Sequence, residues 1–255
     1  MTRRLVDQDR IREQRRQDRI LLILERKFSR VFAAEIKRAS NEMLAQFRAT
    51  GATPTLPQDH EARIAGAFRA MATSSVEALG GRIVDQGKSL NLISERKDFS
   101  ELFLRLAGEF VAAEAIRRKI SAISETTREQ IIRQIAAGRA EGLGVEPIAK
   151  MIASKVPSIS WMRGAVIART ETHSAANFGA DGAARSTGLD LMKEWVATSD
   201  ERTRDSHMAA DGQTREMDEA FDINGYSMMY AGDMNGPASE VINCRCSISH
   251  IVKGY

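Results

Sequence analysis

Hydrophobic residues in the first half of the chain recur at the spacing of amphipathic helices. Between residues 20 and 47, large apolar side chains return every three or four positions, at Leu24, Phe28, Val31, Phe32, Leu44 and Phe47. This period places them on one face of a helix. Together with the charged residues before it, the pattern predicts one long helix over about residues 6–48. Two prolines and a glycine between Thr50 and Pro57 are expected to end it, because neither residue type continues a helix well.

Further segments with a helical period follow, up to residue 187. They predict helices over about Asp59–Leu79, Phe99–Ala122, Ser124–Ala140, Val145–Lys155 and Ile159–Thr187. Gly80-Gly81 is expected to weaken or end the first of these, and Pro157 to end the fourth. Thr126 and Glu129 have the spacing of a capping box at a helix start. The last helix is rich in Ala, Ser and Gly, which allow another helix to approach closely.

After Gly188 the pattern changes to alternating and turn-rich sequence. Leu189–Thr198 and Val241–Val252 have residue patterns that are typical of strands. We therefore predict a mainly α protein, with an extended N-terminal helical region followed by a small α+β C-terminal domain with a short antiparallel sheet. The predicted domains are residues 1–128 and 129–255, and strands are expected only within about 189–252.

Composition narrows the functional classes only slightly. Hydrophobic residues make up 43% of the 255 residues and aromatic residues 5%, so an aliphatic core of packed helices is favoured over a β-sandwich. The net charge of +3 permits contact with nucleic acid but does not require it. No apolar run approaches the length of a membrane span, so we expect a protein of the producing cell's cytoplasm without membrane contact.

The charged segment Thr2–Arg19 allows two interpretations. Its interleaved arginines and acids either form a solvated helix face with i,i+4 ion pairs, or a basic arm that touches DNA or a neighbouring subunit. Because charge surrounds these turns, we expect part of the helix to project and to dock on another protein. Deletion of residues 1–48 is then expected to leave a folded C-terminal unit.

Two cysteines and a histidine form the candidate metal site. Cys244 and Cys246 are too close in sequence for an unstrained disulfide, and on a strand they would share one face. With His207 they offer three zinc ligands, and the fourth would come from Asp200, Asp205 or His173. The alternative is that both thiols pack in the core, with His207 hydrogen-bonded nearby.

Charged residues before His207 also allow two interpretations. Asp200, Arg202 and Arg204 either form an ion network that fixes this loop, or Asp200 orients His207 as the base of a hydrolytic site. No recognisable nucleophile motif, phosphate loop or helical carboxylate pair accompanies His207. We therefore predict no catalytic and no cofactor-binding residues, and a structural zinc ion as the candidate cofactor.

Four motifs occur in a specific order in the second half of the chain. They are Ala168-Arg169-Thr170-Glu171-Thr172-His173 with Asn177, then Lys193-Glu194-Trp195 with Asp200 to His207, then Asp211-Gly212-Gln213, then Glu240-Val241-Ile242-Asn243-Cys244-Arg245-Cys246. In this order they resemble the phage Mu F-like minor head proteins, over roughly residues 129–250. The turn Tyr230-Ala231-Gly232-Asp233-Met234 departs from the Pro-Gly-Asp-Pro-like turn that is common in that family.

The resemblance implies a structural component of a tailed-phage virion, present in several copies inside the head near the portal and made in the host cytoplasm. It implies a role in head morphogenesis, and in DNA packaging or ejection. Expected partners are the portal protein, the major capsid or scaffold protein, and packaged DNA bound without sequence preference. The string Arg169-Thr170-Glu171 also suggests an ADP-ribosyltransferase. Those enzymes take Arg and Glu from separate strands, however, whereas here both residues lie on one predicted helix. A zinc-dependent hydrolase acting on nucleic acid and a non-phage helical adaptor are the alternatives.

Overall fold

A computed structural model describes residues 3–4 and 10–254 of the chain. Helices account for most of it: α1 (Arg10–Thr50), α2 (His60–Ser89), α3 (Ser100–Ala112), α4 (Glu114–Ala140), α5 (Val145–Arg185), α6 (Asp205–Ala209) and α7 (Ala238–Val241). The strands are β1 (Arg3–Arg4), β2 (Leu191–Val196), β3 (Thr214–Glu216), β4 (Phe221–Ile223), β5 (Tyr226–Met228) and β6 (Ser247–Val252). The predicted fold class, mainly α with a small antiparallel C-terminal sheet, is confirmed. Within the described ranges, no helix combines the length and the apolarity needed to cross a membrane.

The main sheet has four antiparallel strands in the order β1-β6-β2-β3. Its centre is the pairing of β2 with β6, which runs from Leu191 opposite Val252 to Val196 opposite Ser247. Strands β4 and β5 form a separate hairpin, turned by Asn224 and Gly225 at φ 56° and 82°, as tight hairpin turns require. Strand β1 pairs with the other side of β6. The expectation that strands occur only within 189–252 is wrong for β1, because the open edge of β6 accepts this distant segment.

Tertiary packing overrides two predicted helix ends. Helix α2 continues through Gly80-Gly81, and its later residues Ile83 and Val84 are buried. A Cβ at Gly80 would lie 3.2 Å from the carbonyl oxygen of Gly179, so the glycine serves close helix packing rather than termination. Helix α5 continues through Pro157. The proline forfeits one backbone hydrogen bond, but Ile152, Val156 and Ser160 are buried on either side of it, and this burial favours the helix.

The boundary predicted between the helices Phe99–Ala122 and Ser124–Ala140 is also wrong. Helix α3 ends at Ala112 and α4 begins at Glu114. Thr126 therefore lies within α4, where its hydroxyl donates to the carbonyl of Ala122, 2.7 Å away. A threonine within a helix commonly makes this bond to the preceding turn, so the capping-box spacing of Thr126 and Glu129 does not mark a helix start.

Contacts divide the chain into two compact units made of separate segments. The strand-bearing unit contains the described part of residues 1–25, Arg69–Ala113 and Arg169–Tyr255. One of its apolar clusters joins Leu21 of α1 and Ile83 of α2 to the small residues of α5 and to strands β2 and β6. Gly179 of α5 allows the closest approach, because a Cβ there would lie 2.7 Å from the Cα of Val76.

The helical unit contains Arg26–Phe68 and Glu114–Ala168. Its core joins Phe47 of α1 to Ile131 and Ile135 of α4 and to Ile148 and Ile152 of α5. The predicted domain boundary at residues 128 and 129 falls within this unit. Because each compact unit is made of segments that are separate in sequence, the units do not test a single boundary, and this boundary stays a prediction.

The N-terminal part of α1 is packed rather than projecting. Leu21 is 1% exposed, and Gln17 and Glu25 are also buried. The side-chain amide of Gln14 donates to the carbonyl of Ala197 at 2.9 Å. The expectation of a projecting arm is therefore wrong for residues 14–25, because a buried stripe runs along a helix that is otherwise charged. Among the i,i+4 ion pairs expected in this segment, those of Asp9 and of the Glu13 side chain lie outside the part of the chain that the structure describes.

Candidate metal centre

The structure brings the three predicted ligands together inside the strand-bearing unit. The Nδ1 atom of His207 lies 3.3 Å from the Sγ of Cys246 and 3.7 Å from the Sγ of Cys244. The three ligand atoms all lie within 4.8 Å of one another. All three side chains are buried, with 1–2% of their surfaces exposed. Both cysteines are free thiols. Such a group has the donor types that zinc prefers.

The cysteines reach this position from a turn rather than from a strand, which corrects the predicted placement. Helix α7 ends at Val241 and β6 begins only at Ser247. Between them Asn243 adopts φ 59°, in the left-handed region that asparagine tolerates. Its backbone N–H donates to the Thr170 hydroxyl of α5 at 3.0 Å. This turn directs both sulfurs towards the His207 ring.

A buried carboxylate faces the other side of the His207 ring. The Nε2 atom of His207 lies 3.2 Å from Oε2 of Glu240, a residue of α7 that is almost fully buried. The hydroxyl of Ser206 donates to the same carboxylate oxygen at 2.9 Å. Glu240 is therefore the carboxylate that is placed to orient the His207 ring, a role that was considered above for Asp200. It belongs to the fourth motif, but no role was predicted for it.

Aromatic packing and a thiol hydrogen bond complete the surroundings. The buried Trp195 ring meets His207 edge-on, with ring centroids 5.4 Å apart. A hydrogen bond between the thiols lowers the pKa of Cys244 and raises the pKa of Cys246. Cys244 therefore loses its proton before Cys246 does.

The three candidates for a fourth ligand are not gathered with this group. Asp200 accepts two hydrogen bonds from Arg245, at 2.6 and 2.7 Å, which hold the pKa of its carboxyl far below the usual range. His173 lies 2.9 Å from Glu25. Asp205 is exposed at the start of α6. The metal-ligand group found among the described residues consists of His207, Cys244 and Cys246 alone.

Asp200 does take part in an ion network, with partners that differ from the predicted ones. Arg245 is its main partner, and Arg202 lies 3.6 Å away. Arg204 instead donates to the carbonyl of Ile242. These bonds join the loop before α6 to the turn that carries both cysteines. The loop-fixing interpretation of this cluster fits the geometry, because Asp200 is not directed at His207.

The helix that carries Arg169-Thr170-Glu171 is joined to α1 by Glu25, a carboxylate outside the four motifs for which no role was predicted. Glu25 accepts from Arg169 at 3.3 Å and lies 2.9 Å from Nε2 of His173. Burial raises the pKa of Glu25, but the hydrogen bond from His173 and the charge of Arg169 outweigh it and lower that pKa. Its position was a usable signal, since Leu21, Glu25 and Phe28 follow a helical period.

Asn177 holds three parts of the strand-bearing unit together. Its amide nitrogen lies 3.0 Å from the carbonyl oxygens of Ala231 and Cys246, and its oxygen accepts from the N–H of Ile248 at 3.3 Å. The side chain is fully buried on α5. It thereby fixes the start of β6 directly after the second cysteine.

Comparisons with known proteins agree with the order of the motifs. A family described as phage Mu protein F like protein matches residues 129–249. All four motifs lie within these matched residues. The chain is 29% identical over 143 residues to minor head protein GP7 of Bacillus phage SPP1, covering 52% of this chain and 44% of that protein.

A second curated relative carries a different name. The chain is 30% identical over 157 residues to NAD(+)--arginine ADP-ribosyltransferase EFV of Enterococcus faecalis, covering 60% of this chain and 32% of that protein. The chain therefore spans less than half the length of both relatives. No solved structure matches the chain.

From Arg169 onwards, the residues of the four motifs lie within the strand-bearing unit. Asp211 and Gly212 form the predicted turn, with Gly212 at φ 78° and the Asp211 carboxylate accepting from the N–H of Ala197 at 2.8 Å. Arg169 and Glu171 both lie on α5, as predicted. The motifs thus assemble one buried polar framework, with the His207 and cysteine group at one end of it.

Proposed function

We propose that the chain is a minor head protein of a tailed bacteriophage, a structural component of the virion that acts in head morphogenesis. The family match over residues 129–249 carries this proposal, and the likeness to minor head protein GP7 supports it. We place the protein inside the head near the portal, in several copies, after assembly in the host cytoplasm. Its framework of buried ion pairs and hydrogen bonds suits a rigid building block.

A non-catalytic role agrees with the burial of the candidate centre. A catalytic zinc site keeps a coordination position open to substrate. His207, Cys244 and Cys246 are instead enclosed, with Trp195 against the histidine ring. A zinc-dependent hydrolase acting on nucleic acid is therefore not favoured. The ADP-ribosyltransferase name belongs to a protein of which this chain covers 32%, and the chain's Arg169 and Glu171 share one helix.

We place the portal contact on the exposed face of α1 near its start. Arg15 and Arg19 are exposed there, and beside them Leu22 and Ile23 are 43% and 68% exposed. The opposite face of the same turns is buried. A mixed basic and apolar stripe suits an acidic protein surface with an apolar pocket. The major capsid or scaffold protein is the further partner, and DNA contact is secondary because acidic residues interrupt the basic ones.

The test is incorporation into heads together with binding of the portal protein of the same phage. Complementation of a deletion phage with the tagged chain should give purified heads that contain several copies, and the chain should copurify with the portal. Ile23→Asp should reduce both by about tenfold, since it places a charge in the apolar contact. Leu104→Asp is the matched control, because Leu104 is 64% exposed on α3 in the same unit.

Each part of the proposal has its own contrary result. Heads that lack the chain would refute the minor head assignment. Normal incorporation of the Ile23→Asp protein would move the portal contact to another surface. If DNA were the main partner, affinity for duplex DNA would match portal affinity at physiological salt and fall about tenfold or more between 50 and 200 mM salt.

A further inference from the structure

We propose that His207, Cys244 and Cys246 bind one zinc ion through Nδ1 and the two sulfurs, and that the Glu240 carboxylate, which lies 3.2 Å from Nε2, positions His207 for this. The two cysteines act as thiolates and the histidine as a neutral ligand. Glu240 is a positioning residue rather than a ligand, because it faces the ring nitrogen that points away from the sulfurs. The site is independent of the proposed role in phage heads.

The two nitrogen–sulfur separations are close to those around a tetrahedral zinc ion. Zn–S bonds of about 2.3 Å and Zn–N bonds of about 2.0–2.1 Å place nitrogen and sulfur ligands about 3.6 Å apart. The Nδ1 atom of His207 lies 3.3 Å from Cys246 Sγ and 3.7 Å from Cys244 Sγ. Both distances differ from the tetrahedral value by no more than a few tenths of an ångström, and the two sulfurs lie within 4.8 Å of each other.

The buried carboxylate distinguishes a metal site from two packed thiols. Histidine ligands commonly donate their second ring N–H to a carboxylate, which fixes the tautomer and strengthens the metal bond. Glu240 Oε2 lies 3.2 Å from His207 Nε2 and is held by Ser206. A proton on Nε2 leaves Nδ1 as a lone pair that faces both sulfurs. Without a metal, Nδ1 of His207 can accept a hydrogen bond from only one of the two thiols. A zinc ion instead binds Nδ1 and both sulfurs.

Such an ion would cross-link segments that are distant in sequence. His207 lies on α6, and the cysteines follow 37 and 39 residues later, after β3, β4 and β5. Closing this loop reduces the conformational freedom of the unfolded chain, and metal binding then contributes directly to folding. We therefore assign the ion a structural role, since the burial of all three ligands keeps a substrate away from the fourth coordination position.

The decisive measurement is the metal content of the unmodified full chain. Protein purified without chelators from zinc-supplemented cells should contain one zinc per chain by elemental analysis. Replacement by cobalt should produce thiolate-to-metal charge-transfer absorption, as sulfur ligation requires. Folded wild-type protein without zinc, which takes up neither zinc nor cobalt on titration, would overturn the proposal.

Three variants then separate ligation from positioning. Cys244→Ser and Cys246→Ser should each weaken the charge-transfer absorption, because one of the two thiolate ligands is removed. Glu240→Gln keeps all three ligands, so it should still bind zinc with about 10–100-fold weaker affinity. Glu219→Gln changes an exposed carboxylate of the same unit and should bind like wild type. Wild-type zinc affinity in Glu240→Gln would refute the positioning role. The zinc content of the wild type is measured on the isolated chain, so its result does not depend on the proposed role in phage assembly.

Discussion

Asn177 shows how much of this fold depends on a single amide. Its amide nitrogen donates to the backbone carbonyls of His173, Ala231 and Cys246, and its oxygen accepts from one backbone N–H; all of these groups are buried. Asn177→Ala leaves them without partners, which costs about 1–3 kcal/mol for each buried polar group that stays unpaired. The free energy of unfolding in urea should fall by at least about 2 kcal/mol. Asn41→Ala, at an exposed position of α1, should change it by less than about 0.5 kcal/mol, and equal effects would contradict this role.

His250 gives the strand-bearing unit a defined response to acid. Burial lowers its pKa to about 4, while Asp181 opposes this shift and Lys193 and Arg185 reinforce it. The unfolded chain binds a proton near the ordinary value of about 6.5, so stability falls as the pH drops from there towards 4. His250 alone should cost about 2 kcal/mol at pH 5 and about 3 kcal/mol at pH 4.

The matched variant for this prediction is His250→Gln, which removes the titrating group but keeps a polar side chain. Urea unfolding at pH 7 and pH 5 should show a smaller loss of stability in the variant than in the wild type. The difference between the two losses should be about 2 kcal/mol. Parallel losses in both proteins would show that other groups, such as His60, whose pKa burial also lowers, cause the acid sensitivity.

At the scale of elements, two glycines with the same helical backbone have opposite roles. A Cβ at Gly179 of α5 would lie 2.7 Å from the Cα of Val76, so Gly179→Ala forces α2 and α5 apart within the strand-bearing unit. A Cβ at Gly81 of α2 meets nothing within 4 Å. Gly179→Ala should lower the free energy of unfolding by about 1–3 kcal/mol, whereas Gly81→Ala should raise it by up to about 1 kcal/mol. Thermal unfolding of both variants measures the contrast, and stabilisation by Gly179→Ala would refute the close packing.

At the scale of the whole molecule, the start of α1 is part of the core rather than a removable arm. Leu21 is 1% exposed and packs with residues of α5, β2 and β6, whereas its neighbour Leu22 is 43% exposed. Leu21→Ala should therefore cost about 2–5 kcal/mol, and Leu22→Ala no more than about 0.5 kcal/mol. Deletion of residues 1–48 should give an unfolded or aggregated protein by circular dichroism. A cooperatively folded deletion variant would restore the projecting-arm hypothesis.

The amino-acid sequence alone determined the features that depend on neighbouring residues. The 3.6-residue period predicted most of the helices, the alternation after Gly188 predicted β2, and Asp211-Gly212 predicted a turn. The order of the four motifs also predicted the resemblance to the family whose model matches residues 129–249, because such a pattern needs no knowledge of contacts. His207, Cys244 and Cys246 were found as candidate ligands from residue type alone.

Only the tertiary structure decided which distant groups meet. Glu25 and His173 are 148 positions apart, and Gln14 and Ala197 are 183 apart. No local period encodes such pairs. Local rules also failed where packing outweighed them, as at Gly80-Gly81 and Pro157, because burial on both sides of a weak position favours a continuous helix. The partner of His207 was likewise set by packing: Glu240 faces its ring because α7 lies against α6, while Asp200, nearer in sequence, is held by Arg245.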